Sequence, residues 1–208
     1  MKRFVIAITR TCGSCGTIVG KMLSNDLKIN MYDRELLRLA SDDSGINEAL
    51  FANADEAMKK SILYGVSKKV YNGELIPPES HDFTSNDNLF NYQAKVLREL
   101  AEKESYVVIG RCADYILKDN PNVFKIFIHA SNEFCIEHEM KYFGFSEKEA
   151  IKEINKLDKY RKEYYYYHTG RTWESAKNYD LSIDTSKLGI EKSVEYIKEY
   201  MRLRMEYV

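Results

Sequence analysis

The sequence predicts an α/β fold in which a parallel sheet is covered by helices on both faces. Three observations predict it. Five short runs rich in apolar residues, Phe4–Ile8, Lys28–Tyr32, Tyr106–Ile109, Val123–Ile128 and Tyr179–Asp184, are spread along the chain. Segments with apolar residues at three- and four-residue spacing separate them. Several of the runs are apolar at successive positions instead of alternating, as in strands buried on both faces.

The elements follow in order. Phe4–Ile8 leads into a turn holding Gly13 and Gly16, after which Ile18, Val19, Met22, Leu23 and Leu27 recur at helical spacing. The opening unit is therefore strand, glycine-bearing turn, helix. A second strand falls at Lys28–Tyr32, followed by a helix over Arg34–Ala40 with Leu36, Leu37 and Ala40 inward. The stretch from Ser41 to about Val70 reads as weakly patterned helix, and Asn72–Asn88, with Pro77 and Pro78, as loop. A helix from Asn88 to Lys103 presents Leu89, Val96, Leu97 and Leu100 on one face and enters the third strand, which ends in Gly110-Arg111. After the fourth strand, Ser131 begins a helix reaching Phe143. Ser146-Glu-Lys-Glu149 is a capping-box signature that opens a charged helix running through Lys156, Lys159 and Arg161 into Tyr164–Tyr167. Beyond the fifth strand, Ile190, Val194, Ile197, Met201 and Met205 define the inward stripe of a last helix.

Composition narrows the function classes. A chain of 208 residues with 44% hydrophobic and 30% charged residues, only 10 Gly and 3 Pro, suits one globular domain, not a disordered or fibrous chain. Its net charge of -1 argues against a nucleic-acid polymer or an anionic membrane surface as partner. No apolar run approaches the ~20 residues that span a bilayer, and the N-terminal run is too short for a signal peptide, so the chain reads as cytoplasmic. The near-neutral total is uneven along the chain: residues 1–32 carry five basic and one acidic side chain, and residues 33–92 six basic and eleven acidic. Residues 141–208 return to a basic excess, fourteen against twelve. Local positive charge at the first turn and in the last third is compatible with a small phosphorylated ligand.

The four cysteines, Cys12, Cys15, Cys112 and Cys135, are expected as thiols. Cys12-Gly-Ser-Cys15 has the spacing of a redox motif or half a zinc site. No second pair completes a zinc site, since His81, His129, His138 and His168 are scattered. A dithiol function stays open, because the pair would open a helix, where a thiol pKa is lowered.

In a doubly covered parallel sheet, ligands gather at the carboxyl ends of the strands. The turn Thr9-Arg-Thr-Cys-Gly-Ser-Cys-Gly-Thr17 occupies such an end and precedes a helix, whose N–H groups and dipole favour an anion. Gly13 and Gly16 permit the backbone of an anion nest. The Walker A spacing is not met: Gly20-Lys21 lies inside the helix, Cys15 stands five residues before Gly20, and Met22 replaces Ser or Thr. The alternative is a tight structural turn.

These pieces together resemble the cytidylate kinase-like family, a divergent branch of the P-loop nucleoside monophosphate kinases. The resemblance runs through Ile8-Thr-Arg-Thr-Cys-Gly-Ser-Cys-Gly, Tyr32-Asp-Arg-Glu-Leu-Leu, Ile109-Gly-Arg-Cys-Ala-Asp114, Lys125-Ile-Phe-Ile-His-Ala-Ser131, Asp158-Lys-Tyr-Arg161 and Asn178-Tyr-Asp-Leu-Ser-Ile-Asp184. It implies a P-loop kinase fold with a five-stranded parallel sheet in the order 2-3-1-4-5. It also implies a helical acceptor-binding insertion at about 33–103 and a lid at about 144–175 within a single domain spanning 1–208.

The activity implied is transfer of the ATP γ-phosphoryl group to CMP, dCMP or a related small phosphorylated acceptor, with Mg²⁺. Carried over by resemblance, the phosphate loop comprises Gly13, Ser14, Cys15, Gly16 and Thr17. Gly16 stands where cytidylate kinases have lysine, and Ile18 where they have Ser or Thr. The missing charge then falls to Arg10, Lys21 or the lid arginine Arg161, and the Mg²⁺-holding hydroxyl to Ser14 or Thr17. Arg34 and Arg111 resemble arginines that hold the acceptor, with Asp33 and Asp114 as partners of sugar or base. Arg171 is a second lid candidate. The tyrosine run is expected to pack against the insertion or a second subunit, so a homodimer stays open. Two other readings are a nucleotide-binding protein that kept the fold without turnover, and a thiol-redox protein using Cys12 and Cys15.

Overall fold

The computed structural model describes residues 3–61 and 70–206. The chain order is β1 (Val5–Arg10), α1 (Gly16–Leu27), β2 (Asn30–Tyr32), α2 (Glu35–Ser44), α3 (Glu48–Ser61), α4 (Asn86–Lys103), β3 (Tyr106–Ile109) and α5 (Ala113–Ile116). It continues with β4 (Val123–His129), α6 (Asn132–Phe143), α7 (Glu147–Thr169), β5 (Leu181–Asp184), α8 (Thr185–Leu188) and α9 (Ile190–Glu206). All strand pairs are parallel, in the order β2-β3-β1-β4-β5, as the resemblance implied. Among the described residues no helix is long and apolar enough to cross a membrane.

The double covering follows from period-two geometry. Val5, Ala7, Tyr106, Val108, Val123 and Phe127 enter one core, packed under α2, α3, α4 and α5. Ile6, Ile8, Val107, Ile109, Phe124, Ile126, Ile128 and Ile183 enter the other, under α1 and α9. Each strand thus needs apolar residues at consecutive positions. On α1, Gly20 permits close approach, since a Cβ there would meet Ile109 Cδ1 at 2.6 Å.

Several boundaries differ from the sequence reading. The helix expected from Ser41 is interrupted: α2 stops at Ser44 because Gly45, at φ 72°, caps it in the left-handed region, and α3 begins afresh at Glu48. The part of that reading at 62–69 lies outside the described residues. The short helices α5 and α8 carry too few residues for a periodic signal. β5 begins at Leu181, where its pairing with β4 starts opposite Ile126, and the Tyr179 hydroxyl donates to Trp173 O at 2.6 Å. Met205, read as inward, is 41% exposed, and Ile18 of the helical-spacing set on α1 is 37% exposed. The capping box is present: Ser146 accepts from Glu149 N, and Glu149 accepts from Ser146 N at 2.9 Å.

Candidate active site

The carboxyl ends of β1, β2 and β3 meet beneath α7. β1 passes its last residue, Arg10, into the turn Thr11–Cys15 that starts α1. Gly13 takes φ 75°, and a Cβ there would lie 2.7 Å from the carbonyl oxygen of Cys135 on α6. Cys15, the N-cap of α1, also adopts a left-handed conformation, φ 61°. The turn is fastened from below. Ser14 Oγ donates to Thr11 O at 2.8 Å and Ile128 O at 3.3 Å, and Thr185 Oγ1 donates to Ser14 O at 2.9 Å. No side chain caps the first turn of α1, and the first N–H of the helix bonded to the N-cap is that of Val19, which donates to Cys15 O at 3.0 Å. The amides of that turn and the α1 dipole are suited to an anion.

The exit of β3 is more strained. Gly110, Arg111 and Cys112 take φ values of 71°, 59° and 54°, three left-handed residues in succession. Each non-glycine residue so held costs on the order of 1–2 kcal/mol. The turn brings Gly110 against Arg10, whose Nη1 would lie 2.6 Å from a Cβ there. Asp33 and Arg34 leave β2 beside it and begin α2.

These segments and α7 enclose a cavity of about 270 Å³ whose charged lining is Arg10, Arg34, Arg111, Arg161 and Asp33. Tyr160, Tyr164, Tyr165 and Trp173 form its aromatic wall. Four cations and one carboxylate in a small cavity favour an anionic ligand. Burial, then the positive charge of Arg161, push the Arg10 guanidinium down to about 10; Asp33 opposes the shift and Arg111 adds to it. Arg10 Nε is buried with no hydrogen-bond partner among the described residues. A second cavity, about 430 Å³, lies on the other side of the loop between Gly13–Ile18 and α6. Arg10, Leu157 and Arg161 line both. A third, about 780 Å³, lies under α7 beside β4 and β5.

Helix α7 ties to the loop through Asp158. Its Oδ1 accepts from Cys12 N at 2.8 Å and from Arg161 Nη1 at 2.9 Å, while the same Nη1 donates to Arg10 O at 3.4 Å. Burial raises the Asp158 pKa, with Arg161 and the Cys12 N–H opposing the rise.

Arg10, Asp33, Arg34, Arg111 and Arg161 are therefore brought together, and Gly13, Cys15, Gly16 and Thr17 line the adjoining cavity. Others expected at the site are placed elsewhere. Asp114 is 3% exposed and absent from all three cavity linings. Tyr165 Oη donates to its Oδ2 at 2.6 Å, its Oδ1 has no partner among the described residues, and burial pushes its pKa up to about 6. Asp114 thus holds a cavity wall from behind instead of facing a ligand. Lys21 is exposed on α1 and lines none of the three cavities, and Arg171 instead lies over the Tyr115 ring at 4.9 Å. The Ser14 hydroxyl is spent on carbonyls, whereas Thr17 is exposed in the first turn of α1.

The cysteines do not suit dithiol exchange. All four are buried, burial pushes Cys12 up to about 12, and it also raises Cys15. Asp158, Tyr160 and Tyr164 were not singled out as site residues. Asp158 lies in the segment Asp158-Lys-Tyr-Arg161 that carries the resemblance and stands i,i+3 from Arg161. In the tyrosine run, Tyr165 is buried and Tyr167 Oη donates to Asp87 Oδ1 at 3.0 Å, which places the run against α4. The neighbouring His168 stacks on Phe90 at 3.7 Å.

Comparison with solved structures bears on this geometry. The chain is similar to an uncharacterized protein from Eubacterium ventriosum ATCC 27560, with 27% identity and a TM-score of 0.71 over 96% of this chain and 99% of that one. A shikimate kinase from Bacteroides thetaiotaomicron shares 14% identity and a TM-score of 0.51 over 96% and 98% of the two chains. A gluconokinase from Sinorhizobium meliloti 1021 shares 13% and 0.51 over 99% and 96%. The last two establish a P-loop kinase fold. No curated protein matches the chain. Residues 5–187 match the sequence pattern of the cytidylate kinase-like family, and the chain belongs to that family.

Proposed function

We propose that the protein is an ATP-dependent nucleotide kinase that transfers the γ-phosphoryl group to CMP, dCMP or a related small phosphorylated acceptor. The observation that carries this reading is the sharing of Arg10 and Arg161 between the loop cavity and the four-arginine cavity. A donor phosphate on the Gly13–Ile18 amides and an acceptor phosphate on Arg34 and Arg111 would approach each other at those two guanidiniums. An acceptor phosphate oxygen is already anionic, so positioning and charge neutralisation supply the catalysis without a strong base. In this reading residues 33–103 are the acceptor insertion and 144–175 the lid of one domain. The partners are small nucleotides, because the four arginines converge on one small cavity instead of being spread over a face.

The absent loop lysine has a physical counterpart. A Cβ on Gly16 would meet Arg10 Cβ at 2.5 Å, so the Arg10 stem fills the space beside that position while its guanidinium reaches Gly110, within the cavity wall. The residues also fit Mg²⁺ with Thr17 as the ligand, since its hydroxyl is exposed next to the amides and that of Ser14 is not free. When bound, Mg²⁺ would neutralise charge on the donor phosphates. A second reading, nucleotide binding without turnover, is favoured by the missing lysine alone.

A screen of CMP, dCMP, UMP, AMP and shikimate by coupled ADP release tests the proposal. The expected result is turnover with a pyrimidine monophosphate and a rise of about tenfold or more in its KM in Arg111→Ala. No ADP with any acceptor, together with a melting temperature raised by ATP, would establish the binding-only reading. Undiminished activity in Arg111→Ala would remove the acceptor assignment.

A further inference from the structure

Helix α6 presents a carboxylate to the loop cavity. Its Cys135 lies against Gly13, and Glu139 stands at the i+4 position of the same buried face, one turn further on. Glu139 is 6% exposed, yet it lines the cavity of about 430 Å³ together with Gly13, Gly16, Thr17 and Arg161. Among the described residues its carboxylate has one partner, His138 Nδ1, which lies 3.3 Å from Oε1. Oε2 has none among them. The charge is felt at the loop: after burial, Glu139 is the next cause that raises the Cys12 and Cys15 thiols.

Such a group is out of place in a cavity made for a bare anion. Buried charges in proteins are paired or hold metal ions, and a carboxylate on the wall opposite the α1 amides repels a free phosphate chain. With the amides, Arg10 and Arg161 alone, the most highly charged anion would bind best. Mg²⁺ is commonly held by one or two carboxylates plus phosphate oxygens, and Glu139 with Thr17 in the same cavity matches that set. Resting on the kinase reading above, we propose that Glu139 is the carboxylate that receives the Mg²⁺ of the phosphate donor, so that the cavity selects the metal complex of a polyphosphate over the free polyanion. Thr17 supplies a hydroxyl to the cation and Glu139 supplies the opposing charge. A Glu139 that served only as an ion-pair partner of His138 would leave donor binding without this metal preference.

The test is calorimetric binding of inorganic tripolyphosphate and of ATP to the full chain, in excess Mg²⁺ and again in EDTA, for the wild type and Glu139→Gln. The wild type is expected to bind the Mg²⁺ forms about tenfold or more tightly than the free forms. In Glu139→Gln the order should reverse, because the cations then meet the more highly charged free anion with no carboxylate opposing it. Wild-type protein that binds free tripolyphosphate as tightly as its Mg²⁺ complex overturns the inference and leaves the kinase reading standing; this comparison needs no variant. A metal preference that persists in Glu139→Gln overturns it as well, as does an equal loss of affinity for both forms. Wild-type protein that binds neither ligand in either form removes the donor reading itself, and this inference with it.

Discussion

The carboxylate of Asp158 reaches across from α7 to accept from the Cys12 N–H at 2.8 Å, a bond between residues 146 positions apart. The same oxygen holds Arg161, so one side chain fixes both the turn that enters α1 and the arginine shared by the two cavities. Removing it frees a cation and a backbone donor in a partly buried place. Asp158→Ala is expected to lower kcat about 10- to 100-fold and stability by about 1–3 kcal/mol. Asp158→Asn keeps an acceptor for both donors and should recover most of the stability but less of the rate. Coupled assays and urea unfolding of both variants check this; equal activity in all three proteins would remove Asp158 from the site.

The approach of α6 to the loop depends on a glycine. A Cβ on Gly13 would lie 2.7–2.8 Å from Cys135 backbone atoms and would be held at φ 75°. Backbone cannot swing aside as a side-chain end can. Gly13→Ala should cost about 3 kcal/mol, overpacking and left-handed strain together, measured by urea denaturation. Gly45→Ala, at φ 72° with nothing within 4 Å, carries the strain alone and should cost about 1 kcal/mol.

Where the sequence could be read and where it could not follows from the range of the interactions. Apolar runs and helical spacing marked the five strands and the long helices, because burial on both sheet faces imposes those patterns locally. The arginines were legible through their place near strand ends and through the resemblance: Arg10 ends β1, and Arg34 and Arg111 lie two residues beyond β2 and β3. Asp114 was misplaced because direction after a left-handed turn is not a pattern; the turn at 110–112 rotates it beneath Tyr165. Asp158 stands in a segment that carries the resemblance, but its bond to Cys12, 146 positions away, leaves no mark in local spacing. Lys21 looked available by charge, yet its position on α1 carries it away from the loop.

Arg111 stands at φ 59° in the four-arginine cavity, so its conformation and its proposed role pull in opposite directions. Alanine and glycine both remove the guanidinium, but only glycine relieves the backbone. Arg111→Gly should be more stable than Arg111→Ala by about 1 kcal/mol in thermal or urea unfolding. Both should lose acceptor affinity equally. A more stable alanine variant would mean that the left-handed turn carries no strain.

Two buried groups give the protein opposing responses to acid. The folded-state pKa of Asp114 is pushed up to about 6 by burial, above the ordinary carboxylate value, so the folded state holds a proton that the unfolded state has lost. On this account stability falls as pH rises from about 4 to about 6, and the penalty persists above. Burial lowers His168 to about 3, so between about 3 and 6.5 the unfolded state binds the extra proton and stability rises with pH. Across pH 4–6 the two slopes partly cancel. Asp114→Asn should expose the histidine response, giving a steeper acid loss and roughly 3 kcal/mol less of the high-pH penalty. His168→Phe should do the reverse and leave a protein most stable near pH 4. Urea midpoints of the three proteins from pH 4 to 7.5 measure it; parallel curves would show that neither group changes its protonation on folding.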